Sequence, residues 1–242
     1  MKKWKCILFL LTILLSCADN DDTIKQTLAL YASSNTIETG GVIACAASDK
    51  DTGDVLTFYY PEEGATNIRF YETENAQVNN EDYANYTQVF IESRPFFNGH
   101  LGVFAQSLSN EKWVIITFEL DTEVKISNPI RIKNLTKPTA WTDAVTINQT
   151  NSGMPIFSWQ PNAVGDNAIY FQVVSDAQDN LLSGTYTTES TFQYYNTNNV
   201  VLNVTSQTPP DLAIGSTYNF TLMDVSLDNW VNLVITNSFT AQ

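Results

Sequence analysis

A succession of short strand-like segments is the feature that most constrains the fold of this chain. Runs rich in Val, Ile, Thr, Tyr and Phe are interrupted at intervals of roughly 8 to 12 residues by Asn, Asp, Gly and Pro. In residues 169–173 and again in residues 218–222 alternate side chains are apolar, so each strand would offer one face to a core. Past residue 24 no stretch sustains the period of a helix. This pattern is typical of antiparallel β-sandwiches, and it predicts an all-β chain.

The N-terminal residues carry a different pattern. Residues 1–5 are cationic and residues 6–15 are predominantly apolar, whereas a membrane-spanning helix needs roughly 20 apolar residues. A cationic start followed by a short apolar run is typical of a secretory signal peptide. We therefore expect residues 1–16 to be removed from the mature chain.

Residues 14–17, Leu-Leu-Ser-Cys, resemble the lipobox of bacterial lipoproteins. The resemblance implies that Cys17 is acylated and anchors the chain to a membrane. Residues 19–22, Asp-Asn-Asp-Asp, resemble the acidic export signal of Bacteroidetes lipoproteins. That resemblance implies the outer face of the outer membrane, with the periplasmic face as the alternative. A flexible tether that needs charge to stay solvated explains the same residues.

The length leaves room for two domains after the tether. Of the 242 residues, those beyond the signal suffice for two domains of about 110 residues each. Pro138 and several polar residues interrupt the strand pattern in residues 131–141, because proline cannot donate a hydrogen bond to a neighbouring strand. We predict a tether over residues 17–25, a first sandwich over residues 26–136 and a second over residues 137–242.

The second half resembles the fibronectin type III family. Trp159 stands where that family has a core tryptophan on its second strand, and Leu212, Gly215 and Tyr218 match the spacing of its tyrosine corner. The resemblance implies that the Tyr218 hydroxyl reaches back to the upstream backbone. Ile214 replaces the usual proline. The resemblance predicts a fold and assigns no task.

A repeated pattern suggests the same architecture for the first half. Residues 107–117 recur as residues 226–236, with Trp113 and Trp230 at matching places. We interpret both segments as the last hairpin of a sandwich, with chance similarity as the alternative. The predicted fold is therefore two tandem immunoglobulin or fibronectin type III-like β-sandwiches.

The chain is strongly acidic. Its formal net charge is -14, and removal of residues 1–16, which hold three lysines and no acid, lowers it to -17. Such a surface repels phosphate backbones and anionic headgroups, so nucleic acid is excluded as a partner.

Few residues suggest catalysis. His100 follows an Asn-Gly turn signal without a nucleophile motif, and Cys45 lies in a small apolar run typical of a buried strand thiol. Glu72 and Glu74 would share one strand face about 7 Å apart, near the separation of the paired acids of glycoside hydrolases. Because the chain has 26 acidic residues, a solvated strand face explains this pair equally well. A hydrolase is a remote alternative, and we expect no enzyme activity.

A calcium site is one further hypothesis. Residues 49–54 resemble the Asp-x-Asp-x-Gly segment of cadherin-like repeats. Asp49, Asp51 and Asp54 would supply about half of the six to eight oxygens that calcium takes. Gly53 occupies the place of an EF-hand aspartate, and Asp-Thr-Gly-Asp is good turn chemistry. A plain turn is preferred, and no other cofactor is expected.

Adjacent tyrosines are candidates for a sugar-binding platform. Strand alternation sends one member of Tyr59–Tyr60 and one member of Tyr194–Tyr195 outward, so one tyrosine of each pair should be exposed. Exposed aromatics also cover domain interfaces, and we assign Trp141 at the predicted junction to that role.

These observations favour a non-enzymatic lipoprotein of the outer membrane or cell surface. It would act as a protein-interaction or scaffold module, with an envelope protein as its partner and the membrane contacted through the lipid. A glycan-binding lipoprotein of a polysaccharide-uptake system is the alternative.

Overall fold

The computed structural model describes residues 26–205 and 207–242 and is nearly all β. One short helix, α1 (Leu28–Ser33), precedes the strands. It begins after Thr27, whose hydroxyl accepts a 3.3 Å hydrogen bond from the Leu30 amide. Within the described residues, no helix has the length and hydropathy needed to cross a membrane. The predicted signal peptide, Cys17 and the tether lie outside the described residues.

The first sandwich consists of two sheets. Its strands are β1 (Thr36–Val42), β2 (Ala44–Ser48), β3 (Val55–Tyr59), β4 (Thr66–Glu72), β5 (Thr87–Val89), β6 (Arg94–Phe96), β7 (Leu101–Gln106), β8 (Trp113–Leu120), β9 (Glu123–Ser127) and β10 (Ile130–Arg131). Sheet I has the strand order β1-β9-β8-β4-β5, with β10 also paired to β8. Sheet II has the order β2-β3-β7-β6.

The second sandwich repeats this connectivity. Its strands are β11 (Ala140–Thr142), β12 (Thr146–Asn148), β13 (Ile156–Ser158), β14 (Ile169–Asp176), β15 (Leu181–Thr187), β16 (Thr191–Gln193), β17 (Leu202–Asn203), β18 (Thr217–Val225) and β19 (Val231–Thr240). Sheet III has the order β11-β19-β18-β14-β15-β17, and sheet IV has the order β12-β13-β16. In each sandwich the first strand runs parallel to a strand late in the order, β1 beside β9 and β11 beside β19. The predicted fold class of two immunoglobulin or fibronectin type III-like sandwiches is confirmed.

The four sheets stack face to face in the order I, II, III, IV. Each neighbouring pair of sheets encloses a hydrophobic core. The core between sheets I and II includes Phe70 and Ile116, the core between sheets II and III includes Phe58 and Phe171, and the core between sheets III and IV includes Phe157 and Phe220. Sheets II and III are therefore covered on both faces, because alternate residues of their strands enter different cores.

Residues 218–222 offer one face to a core, as expected: Tyr218, Phe220 and Leu222 enter the core between sheets III and IV. The same expectation for residues 169–173 is wrong. In β14, Tyr170 enters the core between sheets III and IV, whereas Phe171 enters the core between sheets II and III. Gln172 is also buried, next to Thr185 on β15. Tyr170 and Gln172 carry polar groups, so the sequence indicated that this second face is solvated. In the structure the face is packed.

Helix α1 covers the outer face of sheet I. Leu28 is fully buried against Tyr71 and Tyr86. The segment that leads into the helix also lies along β5: the Gln88 amide donates to the Gln26 carbonyl at 3.0 Å, and the Leu28 amide donates to the Tyr86 carbonyl at 3.0 Å. Residues 26–28 thereby occupy the edge of sheet I beside β5.

The two fibronectin features have the expected geometry. Trp159 is buried in the core between sheets III and IV. The Tyr218 hydroxyl accepts a 2.9 Å hydrogen bond from the Ala213 amide, five residues upstream, and so forms the predicted corner. Ile214, at the usual proline position, is exposed, so its side chain is not needed for packing.

The two copies of the repeat do not occupy equivalent places. β7 lies in sheet II and β8 in sheet I, so residues 107–117 cross between sheets. β18 and β19 instead form a hairpin within sheet III. β9 and β10 follow the first copy, so that copy is not the last hairpin. By connectivity β8 corresponds to β18, and the likeness of the two segments is one of hydrophobic composition.

Candidate functional site

Both sandwiches contribute buried residues to the core between sheets II and III. Cys45, Phe58 and Val103 from the first sandwich pack there with Phe171 and Met223 from the second. Burial of these side chains is favourable by roughly 1.5–3 kcal/mol each. The domain boundary predicted at residue 137 lies between the end of β10 at Arg131 and the start of β11 at Ala140. The exact boundary stays a prediction.

Trp141 and Thr139 reinforce this interface. The Trp141 indole Nε1 donates to the Ser48 carbonyl at 3.0 Å. The Ser48 amide donates to the Thr139 hydroxyl at 2.8 Å, and that hydroxyl donates to the Val231 carbonyl at 2.8 Å. The assignment of Trp141 to a domain interface is confirmed.

Trp230 belongs to the second sandwich by sequence and to the first by packing. Its side chain is fully buried in the core between sheets I and II, beside Phe104 and Ile130. The Ala46 amide donates to the Asn229 carbonyl at 3.1 Å, so the β18–β19 turn also lies against the edge of β2. In the sequence, the repeat placed Trp230 in the last hairpin of the second sandwich. It gave no sign that the Trp230 side chain packs in the core of the first sandwich.

Two ion pairs join the connecting segment to the second sandwich. Lys133 Nζ lies 2.6 Å from Asp228, and Lys137 Nζ lies 2.8 Å from Asp166. Both pairs are partly exposed, so solvent screens them and neither is a major source of stability. They orient the junction more than they stabilise it.

Asp224 is a buried acid close to this junction. One of its oxygens accepts a 2.9 Å hydrogen bond from Asn167, while Oδ2 has no partner among the described residues. Burial raises the pKa of Asp224, and the Asn167 hydrogen bond opposes that shift. The Asn232 side chain carries another unpartnered buried acceptor, Oδ1. A proton on Asp224 is therefore favoured by its surroundings.

The tyrosines predicted to form a platform are not brought together. Tyr59 is buried in the core between sheets I and II, and Tyr60 is half-buried against the core between sheets II and III. Tyr194 is fully buried, and Tyr195 is half-buried with its hydroxyl 2.7 Å from Asp211. The expected exposure of one tyrosine is not met by Tyr59 and Tyr60, because a neighbouring sheet covers Tyr60. In the other pair Tyr194 is buried and Tyr195 is partly exposed. Sugar binding by these residues stays a prediction.

Cys45 lines a small cavity beside Tyr60 and Tyr186. The cavity has a volume of about 10 Å³, which is no larger than one water molecule requires. Complete burial raises the pKa of the Cys45 thiol to about 12. The thiol is therefore buried in the core, as the sequence predicts, and burial disfavours the thiolate form that a nucleophile needs.

A groove of about 540 Å³ contains the predicted acid pair Glu72 and Glu74. Glu72 Oε1 lies 2.8 Å from Lys112 Nζ, and its other oxygen accepts a 3.0 Å hydrogen bond from Gln106. Glu74 follows β4 in an exposed bend. The two acids do not share a strand face, because β4 ends at Glu72. Glu72 is therefore held by a cation.

A second groove, of about 520 Å³, lies beside α1. Its walls include Tyr31, Arg69 and Tyr71. The Arg69 guanidinium lies 3.8 Å from the centroid of the Tyr31 ring, and the Tyr31 and Tyr71 rings stack at 6.4 Å. The Tyr31 hydroxyl donates to Glu119 at 2.6 Å. This groove presents an aromatic face next to a cation, and no motif indicated it in the sequence.

The predicted calcium segment forms a turn. Asp49 Oδ1 accepts hydrogen bonds from the Asp51 amide at 3.0 Å and from the Thr52 amide at 2.8 Å. These bonds lower the pKa of Asp49. In the part of the chain that the structure describes, no three His, Cys, Asp or Glu side chains cluster as metal ligands. Asp49, Asp51 and Asp54 are therefore not brought together as a ligand set, and calcium binding there stays a prediction.

His100 ends an exposed turn at residues 97–100. Its amide donates to the Phe97 carbonyl at 3.1 Å. Asn98 and Gly99 adopt φ values of 53° and 85°, the left-handed conformation that an Asn-Gly pair favours. The turn predicted from this dipeptide is confirmed.

The charged residues divide unequally between the sandwiches. Residues 138–242 contain no Lys, Arg or His, and they contain eight acids: Asp143, Asp166, Asp176, Asp179, Glu189, Asp211, Asp224 and Asp228. The Asp166 and Asp228 ion pairs use lysines from the connecting segment. The second sandwich is therefore an acidic body without internal counter-charges. This unequal distribution of charge can be read directly from the sequence, although the net charge of the whole chain does not reveal it.

Comparison with known proteins adds a likeness of fold only. No protein-family model matches the chain, and no curated protein matches it either. Among solved structures the chain is similar to the selenomethionine-substituted chicken interferon gamma receptor alpha chain. The identity is 10%, the match covers 83% of this chain and 96% of that chain, and the TM-score is 0.23. A likeness at this level carries no argument about function.

Proposed function

We propose that this protein is a lipid-anchored, non-enzymatic interaction module of the bacterial outer membrane, displayed at the cell surface and serving as a scaffold for an envelope protein. The observation that carries the proposal is the shared core between sheets II and III, where buried residues of both sandwiches pack together. A module with such a core presents its loops and sheet edges in one constant arrangement, which is what a scaffold requires.

The candidate catalytic groups support a non-enzymatic role. Cys45 is a buried thiol whose pKa is raised to about 12, and Glu72 is paired with Lys112. His100 stands in an exposed turn. No pair of these residues has the geometry of a nucleophile and its base.

The anchor and location rest on the resemblance of residues 14–17 to a lipobox. Cys17→Ala should release the protein from the membrane fraction and abolish labelling by a fatty-acid analogue. Cys45→Ala is the matched control, and that variant should stay membrane-bound. Release of both variants, or of neither, would contradict the anchor. Surface proteolysis of whole cells then distinguishes the two faces of the outer membrane.

The scaffold role is tested by affinity purification from detergent-solubilised membranes. We expect the same envelope protein to be recovered in stoichiometric amount in independent preparations. A disruptive Phe58→Asp variant at the shared core should lose that partner. Recovery of the partner with the native protein and equally with Phe58→Asp would show that the core shared by the two sandwiches is irrelevant to binding. The absence of any partner would overturn the scaffold role.

A glycan-binding role is a second candidate, favoured by the groove beside α1. The Arg69 guanidinium is stacked on the Tyr31 ring in the wall of this groove, and a cation held in this way suits a sugar that carries an acidic group. A glycan array with the native protein and with Tyr31→Ala tests this candidate. Uniformly blank arrays, or hits that Tyr31→Ala leaves unchanged, would remove it.

A further inference from the structure

β17 is the terminal strand of sheet III. It pairs with β15 through Thr185 and Asn203 and through Tyr186 and Leu202. Flanking bonds continue this pairing, since the Val201 amide donates to the Tyr186 carbonyl at 2.7 Å. Within residues 26–205 and 207–242, no strand pairs with the opposite side of β17. That side is an open sheet edge.

Apolar side chains lie exposed at this edge. Val201 is 63% exposed and Leu202 is 42% exposed. Two other edges in the molecule are protected in recognised ways: residues 26–28 cover β5, and β6 carries Arg94 and Pro95. In the part of the chain that the structure describes, β17 has neither a cover nor a charged or proline residue, although it is only two residues long. An open apolar edge is a template for an added strand.

The charge of the second sandwich decides which strand can be added. A second copy of this chain would bring its own acidic residues against this acidic body, and like charges across an interface are costly. The same acids attract a cationic segment. The edge is therefore protected against self-association and remains open to a basic partner.

We propose that β17 binds an extended segment of a partner protein in which lysine or arginine alternates with apolar residues. This inference rests on the proposed interaction function and names the chemistry of the partner. The added strand pairs with the open side of β17. Because Val201 and Leu202 point to opposite faces of the sheet, its apolar residues pack on one of them and the aliphatic stems of its lysines or arginines pack on the other.

The probe is a synthetic ten-residue peptide of alternating lysine and valine, with an alternating glutamate and valine peptide as its counterpart. The full chain is used in detergent, and binding is followed by fluorescence anisotropy. We expect the lysine peptide to bind at least about tenfold more tightly than the glutamate peptide, with affinity falling as salt is raised. Equal binding of the two peptides, or binding of neither, would overturn the proposal.

Two variants test the location. Val201→Ser with Leu202→Ser should weaken binding of the lysine peptide by about tenfold or more, because it removes the apolar contacts. Ile214→Ser is the matched control, since Ile214 is 62% exposed in the same sandwich, and it should change affinity by less than about twofold. Equal losses of affinity in the double variant and in Ile214→Ser would mean that charge alone attracts the peptide, and would refute binding at the β17 edge.

Amide hydrogen exchange supplies an independent check. The peptide should protect residues 201–204 and leave the loops of sheet IV unchanged. Concentration-dependent dimerisation with the same protection would identify a second copy as the occupant and overturn the basic partner. If the Val201→Ser/Leu202→Ser protein still recovers its envelope partner from membranes, this inference fails while the scaffold function stands.

Discussion

The indole Nε1 of Trp230 donates a 2.8 Å hydrogen bond to the carbonyl oxygen of Lys137. The donor belongs to the β18–β19 turn, the acceptor belongs to the segment that connects the sandwiches, and the indole ring is buried in the core of the first sandwich. The first sandwich is therefore incomplete without a residue from the second. Together with the core between sheets II and III, this contact makes the two sandwiches one structural unit.

Trp230→Phe should destabilise the protein by about 2–4 kcal/mol, because it leaves a gap in the core and a buried carbonyl without its donor. The measurement is the free energy of unfolding in denaturant. Trp113→Phe is the matched control, since Trp113 is half-buried on the outer side of sheet I and donates to the Ala76 carbonyl. A loss at Trp230 no larger than the loss at Trp113 would contradict its role as a link.

Lys112→Met should cost about 2–4 kcal/mol of stability, because it leaves the partly buried Glu72 carboxylate without its cation. Lys125 offers the comparison: it pairs with the more exposed Glu38 and Glu62, so Lys125→Met should cost about 0–1 kcal/mol. Chemical denaturation of both variants measures the difference. Equal costs would mean that burial of the Lys112 pair does not matter.

Asp224→Asn should stabilise the protein relative to the native chain at neutral pH. Because burial raises the pKa of Asp224, the folded state binds a proton more tightly than the unfolded state does. The stability from that proton is complete below the unfolded pKa of about 3.9 and is lost as the pH rises through the folded value. The asparagine variant has no such loss.

The free energy of unfolding of both proteins, measured from pH 3.5 to 7.5, tests this sign. The advantage of Asp224→Asn should grow as the pH rises and should be smallest at the acidic end. A difference that stays constant across this range, or one that shrinks with rising pH, would show that Asp224 is not a buried acid with a raised pKa.

Tyr218→Phe should lower stability by about 1 kcal/mol, because the Ala213 amide loses its acceptor. For a chain of this size the melting temperature should fall by about 2–4 °C. Tyr195→Phe removes a hydroxyl that bonds to Asp211 near the surface, and it should lower the melting temperature by clearly less than Tyr218→Phe does. Thermal unfolding followed by circular dichroism compares the two, and a larger effect at Tyr195 would refute the corner.

Local chemistry explains which elements could be predicted from the sequence. Alternation within residues 169–173 and 218–222 identified β14 and β18, and the spacing of Leu212, Gly215 and Tyr218 identified the corner. Each of these signals depends on residues close together in the chain. The Asn-Gly turn before His100 was predicted for the same reason.

The stacking of the sheets could not be predicted in this way. Phe58 and Phe171 share a core although more than 100 residues separate them, and a strand that alternates cannot show whether its second face meets water or another sheet. One of Tyr59 and Tyr60 was therefore expected in solvent, whereas Tyr59 is buried in the core between sheets I and II and Tyr60 packs against the core between sheets II and III. The buried position of Lys112 depends on Glu72, 40 residues earlier in the chain, so no local pattern marks it.

Scanning calorimetry of the full chain tests the central claim that the two sandwiches are one structural unit. Shared burial of Phe58, Phe171 and Trp230 predicts a single heat-absorption peak whose calorimetric enthalpy equals the van't Hoff enthalpy. Two resolved peaks, or a calorimetric enthalpy about twice the van't Hoff value, would show that the sandwiches unfold independently and would contradict the account.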